Sequence, residues 1–215
     1  MKDYIATIIK NEQIAENIYA VTFALDEDFT VRAGQFGNIS VGGTHLLRRP
    51  IAICKVEGRE VTFCYQIKGE GTQKLKMMEA GTRLNVLMPL GNGFYVEENE
   101  KKVALVGGGV GVFPLISVLR EYAQTKEISA YIGYRNKGAV CGVEEFAKAQ
   151  KFIAVTDDGS YGAQGGNAEM LKSCFGANGL GGVVNNSRGI LCAYKKNGGT
   201  YTEAARNACI AMQKD

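Results

Sequence analysis

The sequence predicts two folds in series: a small antiparallel β-barrel, then a parallel α/β sheet. Residues 1–90 alternate short apolar runs with turn residues, a pattern typical of a barrel of short strands. From residue 103 onward, apolar strands alternate with helical segments, which is typical of a parallel sheet. A charged stretch over 97–102 separates the two patterns. We therefore expect a barrel over 1–96, a truncated α/β nucleotide-binding domain over 97–160 and an atypical tail over 161–215.

The barrel strands follow from β-branched and apolar runs bounded by turn residues. Two strands lie within residues 4–25 and are separated by the polar segment 11–17. The other predicted elements are strands over 37–41, 51–56, 61–67 and 83–88 and a short helix over 73–79. The second and third of these strands form a hairpin through the turn Glu57-Gly58-Arg59-Glu60.

The second domain begins with a buried strand, a glycine turn and a helix, over 103–106, 107–111 and 113–123. Strands over 128–134 and 152–156 then flank a helix over 143–149. In the tail we expect helices over 167–175 and 201–214, a strand over 182–184 and a strand or turn over 190–193.

Composition excludes several classes of function. A net charge of +3 on 215 residues argues against a nucleic-acid partner. The six cysteines are scattered, whereas zinc and iron–sulfur sites draw ligands from tight loops, so we expect reduced thiols and no metal. The amino terminus does not resemble a signal peptide. The longest apolar stretch, 103–119, contains glycines and a proline and is short for a bilayer. We expect a cytoplasmic protein with no membrane partner.

Two short motifs suit a flavin. Arg49-Pro50-Ile51-Ala52 offers a positive charge on a segment that proline holds extended, which suits the edge of a flat ring. Gly69-Glu70-Gly71-Thr72 offers a flexible loop ahead of the 73–79 helix, which we expect Thr72 to cap. Backbone N–H groups at a helix start bind a pyrophosphate. Either motif alone is equally compatible with an ordinary hairpin or a capped helix.

The 103–115 segment is a candidate nucleotide site. Its glycines allow close approach of the backbone, and the following helix start favours an anion. No Gly-Lys-Ser/Thr follows, so this is not the phosphate loop of a nucleoside triphosphatase. A tight strand–helix turn without a ligand is the alternative. Asp157-Asp158-Gly159-Ser160 follows the third strand, where such folds bind ligands.

Together with Pro89-Leu90-Gly91-Asn92-Gly93-Phe94, these motifs resemble the ferredoxin-reductase superfamily. Within it, residues 1–162 are most similar to the electron-transfer subunits of NAD-dependent dihydroorotate dehydrogenase. The resemblance implies FAD, allows NAD, and implies a dihydroorotate dehydrogenase catalytic subunit as partner in pyrimidine biosynthesis. It also implies a [2Fe–2S] cluster, but the clustered cysteines that hold it are absent from this sequence. We therefore expect an oxidoreductase whose electron transfer to the partner is impaired.

The resemblance also assigns site residues. For FAD they are Arg49, Pro50, Ile51, Ala52, Cys64, Tyr65, Gln66, Gly71 and Thr72, and for the nicotinamide cofactor they are Gly107, Gly108, Gly109 and Gly111. Ala52 stands where the family usually has serine, and Gln66 stands where arginine is common.

The tail instead resembles the carboxyl-terminal end of orotidine 5′-phosphate decarboxylase, through residues 161–166, 184–190 and the alanine-rich last helix. That resemblance implies that Gln164 and Arg188 bind a phosphate. The lysine–aspartate array of the decarboxylase is absent, so we expect no decarboxylation. The two resemblances together suggest a chimeric chain. A non-catalytic flavin-binding or assembly module and a phosphate-binding protein are the alternative functions.

Overall fold

The computed structural model describes residues 1–43, 46–164 and 182–184, together with Thr200, Glu203, Ala204, Arg206, Asn207 and Ile210. Within these residues it contains a closed antiparallel barrel and a parallel sheet, so the predicted fold class is confirmed. The barrel strands are β1 (Lys2–Ala15), β2 (Ile18–Ala24), β3 (Phe36–Ile39), β4 (Arg49–Glu57), β5 (Glu60–Gln66) and β6 (Arg83–Leu90), with helix α1 (Glu70–Lys76) after β5. Their order around the barrel is β1-β2-β5-β4-β3-β6.

The parallel sheet comprises β7 (Lys102–Gly108), β8 (Glu127–Tyr134), β9 (Lys151–Thr156), β10 (Ala163–Gln164) and β11 (Gly182–Val184). Helices α2 (Phe113–Tyr122) and α3 (Val143–Phe146) follow β7 and β8, and 3₁₀ turns cover Gly109–Val112 and Lys137–Ala139. The strand order is β10-β9-β8-β7-β11. The predicted strand over 182–184 is confirmed. The segments 167–175 and 190–193 lie outside the described residues, and of the predicted helix over 201–214 only five positions are described.

Two sequence predictions about the barrel are wrong. The polar segment 11–17 is not a loop, because β1 continues to Ala15 and only Glu16 and Asn17 form the turn. Helix α1 begins at Glu70, not at residue 73. Thr72 therefore lies in its first turn, where its Oγ1 accepts hydrogen bonds from the N–H groups of Lys68 (2.9 Å) and Gly69 (3.2 Å).

The described residues form two apolar clusters: one fills the barrel, and the other fills the parallel-sheet half and continues as an apolar layer between that half and the barrel. In the barrel, the rings of Phe23 and Phe63 meet edge to face at 5.9 Å. Between the halves, Cys54 and Cys64 of the barrel pack with Phe113 and other side chains of α2 in one buried cluster. The barrel therefore lies directly against α2. The domain boundary near residue 97 remains a proposal, with β6 ending before it and β7 starting after it.

In the part of the chain that the structure describes, no helix combines the length and the apolar character needed to cross a membrane.

Candidate functional site

A cleft of about 940 Å³ lies between the barrel and the carboxyl edge of the parallel sheet. The barrel contributes one wall and the sheet contributes the other. The residues that line it are Glu16, Asn17, Ile18, Pro50, Ala52 and Gln66 from the barrel, and Gly108, Gly109, Val110, Gly111, Pro114, Gly133, Tyr134, Arg135, Asn136, Ala139 and Asp157 from the sheet. Six of the residues that the sequence nominated are among them: Pro50, Ala52, Gln66, Gly108, Gly109 and Gly111.

Part of the sheet wall consists of glycines at or near the ends of β7 and β8, which present no side chain to the cleft. Gly108 at the end of β7 lies opposite Gly133 near the end of β8, and a Cβ on Gly108 would come within 3.4 Å of the Gly133 carbonyl oxygen. Gly107 does not line the cleft. It packs under the turn, where a Cβ would lie 2.6 Å from Leu115 Cδ1. Gly109 has a φ of +54°, which L-residues with side chains rarely adopt. The turn thus presents bare backbone to the cleft.

Strand alternation decides which residues of the barrel wall face the cleft. On β4, Pro50 and Ala52 point outward, whereas Ile51 is buried in the barrel core. On β5, Gln66 reaches the cleft, and Tyr65 points into the barrel. The Tyr65 hydroxyl donates a hydrogen bond to Asn11 Oδ1 at 3.2 Å, and burial raises the pKa of Tyr65. Only the backbones of Ile51 and Tyr65 can therefore contact a bound molecule.

Arg49 and Gly71 are in direct contact, although neither lines the cleft itself. A Cβ built on Gly71 would overlap the Nε, Cζ and Nη2 atoms of the Arg49 guanidinium. The Arg49 Nη1 donates to the Leu47 carbonyl oxygen. Arg49 forms no ion pair with any described residue. Because Gly71 has no side chain, the Arg49 guanidinium can lie against α1, where it has no ion-pair partner among the described residues.

A second hollow of about 700 Å³ adjoins α1 and is lined by Asn17, Ile67, Lys68, Gly69, Glu70 and Gln73. Asn17 borders both this hollow and the cleft. Its φ of 58° makes it the one residue other than glycine with a positive φ among the described residues. The sequence analysis missed Asn17, although an asparagine in a short hairpin turn is the usual sign of this conformation. The two hollows therefore both border the β1–β2 turn at Asn17.

Two adjacent carboxylates follow β9, and their surroundings differ. Asp158 Oδ1 accepts hydrogen bonds from the N–H (3.0 Å) and the hydroxyl (2.6 Å) of Ser160, and these bonds lower the pKa of Asp158. Asp157 lines the cleft, and its backbone N–H donates to the Tyr134 carbonyl at 3.0 Å. The Asp157 carboxylate has no hydrogen bond or ion pair with a described residue. Asp157 is therefore the carboxylate that the sheet wall offers to a molecule in the cleft.

Cys54, Cys64 and Cys141 are free thiols buried between the barrel and the sheet. A hydrogen bond with Cys54 and burial raise the pKa of Cys64, and burial raises the pKa of Cys141 to about 12. Cys64, predicted to line the flavin site, belongs to this apolar layer and not to the cleft. Among the described residues, no group of three or more histidine, cysteine or acidic side chains could hold a metal ion. Cys174, Cys192 and Cys209 lie outside them.

The predicted phosphate pair cannot be assembled from the described residues. Gln164 lies on β10, exposed, with its side chain next to Gly159 and away from the cleft lining. Arg188 lies outside the described residues, so this pair stays a prediction. Sequence analysis also missed Glu16 and Arg135, which line the cleft. Arg135 directly follows β8, so the rule that ligands bind at the ends of parallel strands could have found it.

Two solved structures of reductases have the same fold as this chain. The Amycolatopsis cytochrome P450 reductase GcoB matches with a TM-score of 0.71 at 19% identity, covering 96% of this chain and 66% of that chain. An NADH-dependent reduced ferredoxin-NADP oxidoreductase, described for flavin-based electron bifurcation, matches with a TM-score of 0.72 at 23% identity, covering 90% of this chain and 73% of that chain.

No protein-family model matches the chain. Curated relatives carry one name, "Dihydroorotate dehydrogenase B (NAD(+)), electron transfer subunit". The protein from Streptococcus mutans is 35% identical over 83% of this chain and 74% of its own length. The protein from Bacillus mycoides is 35% identical over 96% of this chain and 81% of its own length. At this identity and coverage, the chain belongs to the family of electron transfer subunits of dihydroorotate dehydrogenase B.

Proposed function

We propose that the chain transfers electrons between NAD(H) and the catalytic subunit of a dihydroorotate dehydrogenase, through FAD bound in the groove between the barrel and the sheet. The observation that supports this most is the shared cleft. Its barrel wall carries an extended Pro50–Ala52 edge, and its sheet wall carries a bare glycine turn. Two cofactors that exchange electrons need to meet in one space, and this space has one wall suited to each.

The chain's residues fit FAD. The cleft and the α1 hollow both border Asn17, so an elongated dinucleotide can lie across both. Pro50 and Ala52 would contact its ring, and Gln66 would hydrogen-bond it at the rim. The Arg49 guanidinium, seated on Gly71 without a carboxylate partner, would neutralise the pyrophosphate. Bound flavin would supply two-electron exchange with a nicotinamide and one-electron exchange with a partner.

The sheet wall fits a nicotinamide dinucleotide. The turn at 108–111 lets a ligand approach the backbone closely, and the unpartnered Asp157 carboxylate could accept hydrogen bonds from ribose hydroxyls. A carboxylate at this position would also repel a 2′-phosphate, which favours NAD over NADP. Arg135 is the cation among the residues that line the cleft, and it could oppose this preference. We therefore assign NAD and name Asp157 as the residue that selects it.

The described residues do not fit a [2Fe–2S] cluster. Their three cysteines are buried in the apolar layer beside α2, with raised pKa values for Cys64 and Cys141, whereas cluster ligands are thiolates. The proposed electron transfer therefore does not include an iron–sulfur cluster.

The visible absorption spectrum of the purified protein, before and after anaerobic addition of NADH, tests this proposal. We expect an oxidised flavin spectrum that bleaches with NADH. Recovery of the spectrum when the catalytic subunit and orotate are added would support transfer to the partner. Bound flavin that NADH does not reduce would favour the non-catalytic module instead. A colourless protein that does not take up added FAD would contradict the proposal.

A further inference from the structure

The turn over 91–94, the most specific motif of the sequence, wraps around a loop of the barrel. The Phe94 N–H donates to the Ala33 carbonyl at 2.7 Å. The Phe94 ring covers Gly34, whose φ is +82° and on which a Cβ would lie 2.6 Å from Phe94 Cε2. Gly93 is equally constrained, because its φ is +75° and a Cβ there would lie 2.6 Å from the Ala33 oxygen. The motif is therefore shaped to hold Ala33 and Gly34.

Helix α2 holds the same two residues from the opposite side. The Ala33 N–H donates to Glu121 Oε2 at 2.7 Å, and the Gly34 N–H donates to Ser117 Oγ at 2.9 Å. Ser117 Oγ in turn donates to the Pro114 carbonyl at 2.7 Å. Two consecutive backbone amides of the barrel are thus bound by side chains of the other half. We call these bonds the α2–barrel contact.

The α2–barrel contact joins the two walls of the cleft. At one end, α2 begins beside Pro114, which lines the sheet wall. At the other end, the Gln35 carbonyl, adjacent to Gly34, accepts the Ile53 N–H at 3.0 Å. Phe36 then pairs with Ala52, which lines the barrel wall. The path from one wall to the other therefore consists of hydrogen bonds and a strand register.

We propose that Glu121 and Ser117 are positioning residues, which set the separation of the two cleft walls and thereby the rate at which a nicotinamide reduces the flavin. This inference rests on the proposed function. Neither side chain lines the cleft, so neither contacts a cofactor. Their effect passes through the Ala33 and Gly34 amides to β4. Misplacement of reacting groups by about 1 Å lowers a rate by on the order of 100-fold, so a small change in wall separation has a large effect.

Three variants of the flavin-loaded protein test this. Glu121→Ala removes the acceptor for the Ala33 N–H, Glu121→Gln keeps one, and Glu144→Ala removes an exposed carboxylate of α3 that has no partner among the described residues. Stopped-flow absorbance measures flavin reduction by NADH. We expect Glu121→Ala to bind flavin and NADH as the parent does but to reduce flavin about tenfold more slowly. Glu121→Gln and Glu144→Ala should keep the parent rate.

Hydrogen–deuterium exchange of the protein without cofactor provides a readout independent of turnover. The peptide that contains Ala33 and Gly34 should exchange faster in Glu121→Ala than in Glu121→Gln. If its exchange accelerates but the reduction rate does not change, the positioning role is refuted while the proposed function stands. If the parent protein binds flavin that NADH cannot reduce, the proposed function fails first. If Glu121→Ala does not fold, the same two measurements on Ser117→Ala test the positioning role.

Discussion

Gly71→Ala tests the proposed flavin site by disturbing a packing contact, the one between Gly71 and the Arg49 guanidinium. The added Cβ would overlap the Arg49 guanidinium, which is the end of a flexible side chain and can move. Non-bonded contacts of carbon need about 3.5 Å, and the added Cβ would lie 1.9 Å from Arg49 Nε, so the guanidinium must shift by roughly 1.6 Å. Gly71 lies within α1 and has no positive φ, so the backbone accepts alanine. The substitution therefore displaces one cation and leaves the helix intact.

Two opposite effects follow. Alanine is more stable than glycine in a helix by about 0.5–1 kcal/mol, so the free energy of unfolding without cofactor should stay constant or rise slightly. A hydrogen bond to a charged group contributes about 1.5–3 kcal/mol, so its loss should weaken FAD binding by roughly 10- to 150-fold. Quenching of FAD fluorescence measures the Kd, and urea denaturation of the apoprotein measures stability. A variant that is as stable as the parent but binds FAD more weakly is the expected result.

The comparison with Arg49→Ala makes the test specific. If Gly71→Ala acts by displacing Arg49, the double variant should bind FAD no more weakly than Arg49→Ala alone. Arg83→Ala is the control for loss of positive charge, because Arg83 is exposed and pairs with Thr7 of β1, whereas Arg49 is the cation that lies against Gly71. An unchanged Kd in Gly71→Ala, or losses that add in the double variant, would refute the assignment of Arg49 to the flavin pyrophosphate.

Three further outcomes are expected. Asp157→Asn should raise kcat/KM for NADPH relative to NADH about tenfold, since near a protein surface two charges interact by about 1–4 kcal/mol; an equal effect of Asp158→Asn would show a general charge effect instead. Asn11→Ala should lower the free energy of unfolding by about 1–3 kcal/mol in urea, because the Asn11 amide donates at 2.9 Å to the carbonyls of both Leu75 and Met78; an unchanged value would contradict this. Burial raises the pKa of Cys141 from 9.0 to about 12, so the folded state keeps a proton that the unfolded state releases, and stability should fall between these pH values. The free energy of unfolding should fall with pH about 1.4 kcal/mol per pH unit less steeply in Cys141→Ala than in the parent. Identical slopes in the two proteins would refute the buried-thiol explanation.

Local pattern was sufficient to predict that the strands of the barrel and of the sheet exist, whereas the site residues of β4 came from the family resemblance. Alternation along the strand places Pro50 and Ala52 on the cleft face and Ile51 in the barrel core, since adjacent residues cannot share a face, and a role of Ile51 in flavin binding stays a prediction. The contact between Arg49 and Gly71 was beyond prediction as a contact, because it joins a strand to a helix through side-chain packing. The contacts of Asn11 could not be predicted for the same reason. Its polarity suggested a loop, whereas its side chain binds carbonyls at the end of α1.

The position of the cleft follows from the order of the strands in the sheet. β8 and β9 lie on one side of β7, and β11 lies on the other, so the chain changes direction across the sheet at β7. Open parallel sheets bind ligands at such a point, because the connections diverge there and leave a crevice at the carboxyl ends. Val184, the last residue of β11, pairs with Val106, two residues before β7 ends at Gly108. On the sheet wall, a molecule in the crevice thus meets backbone at Gly108 and Gly133 and the carboxylate of Asp157, directly after β9.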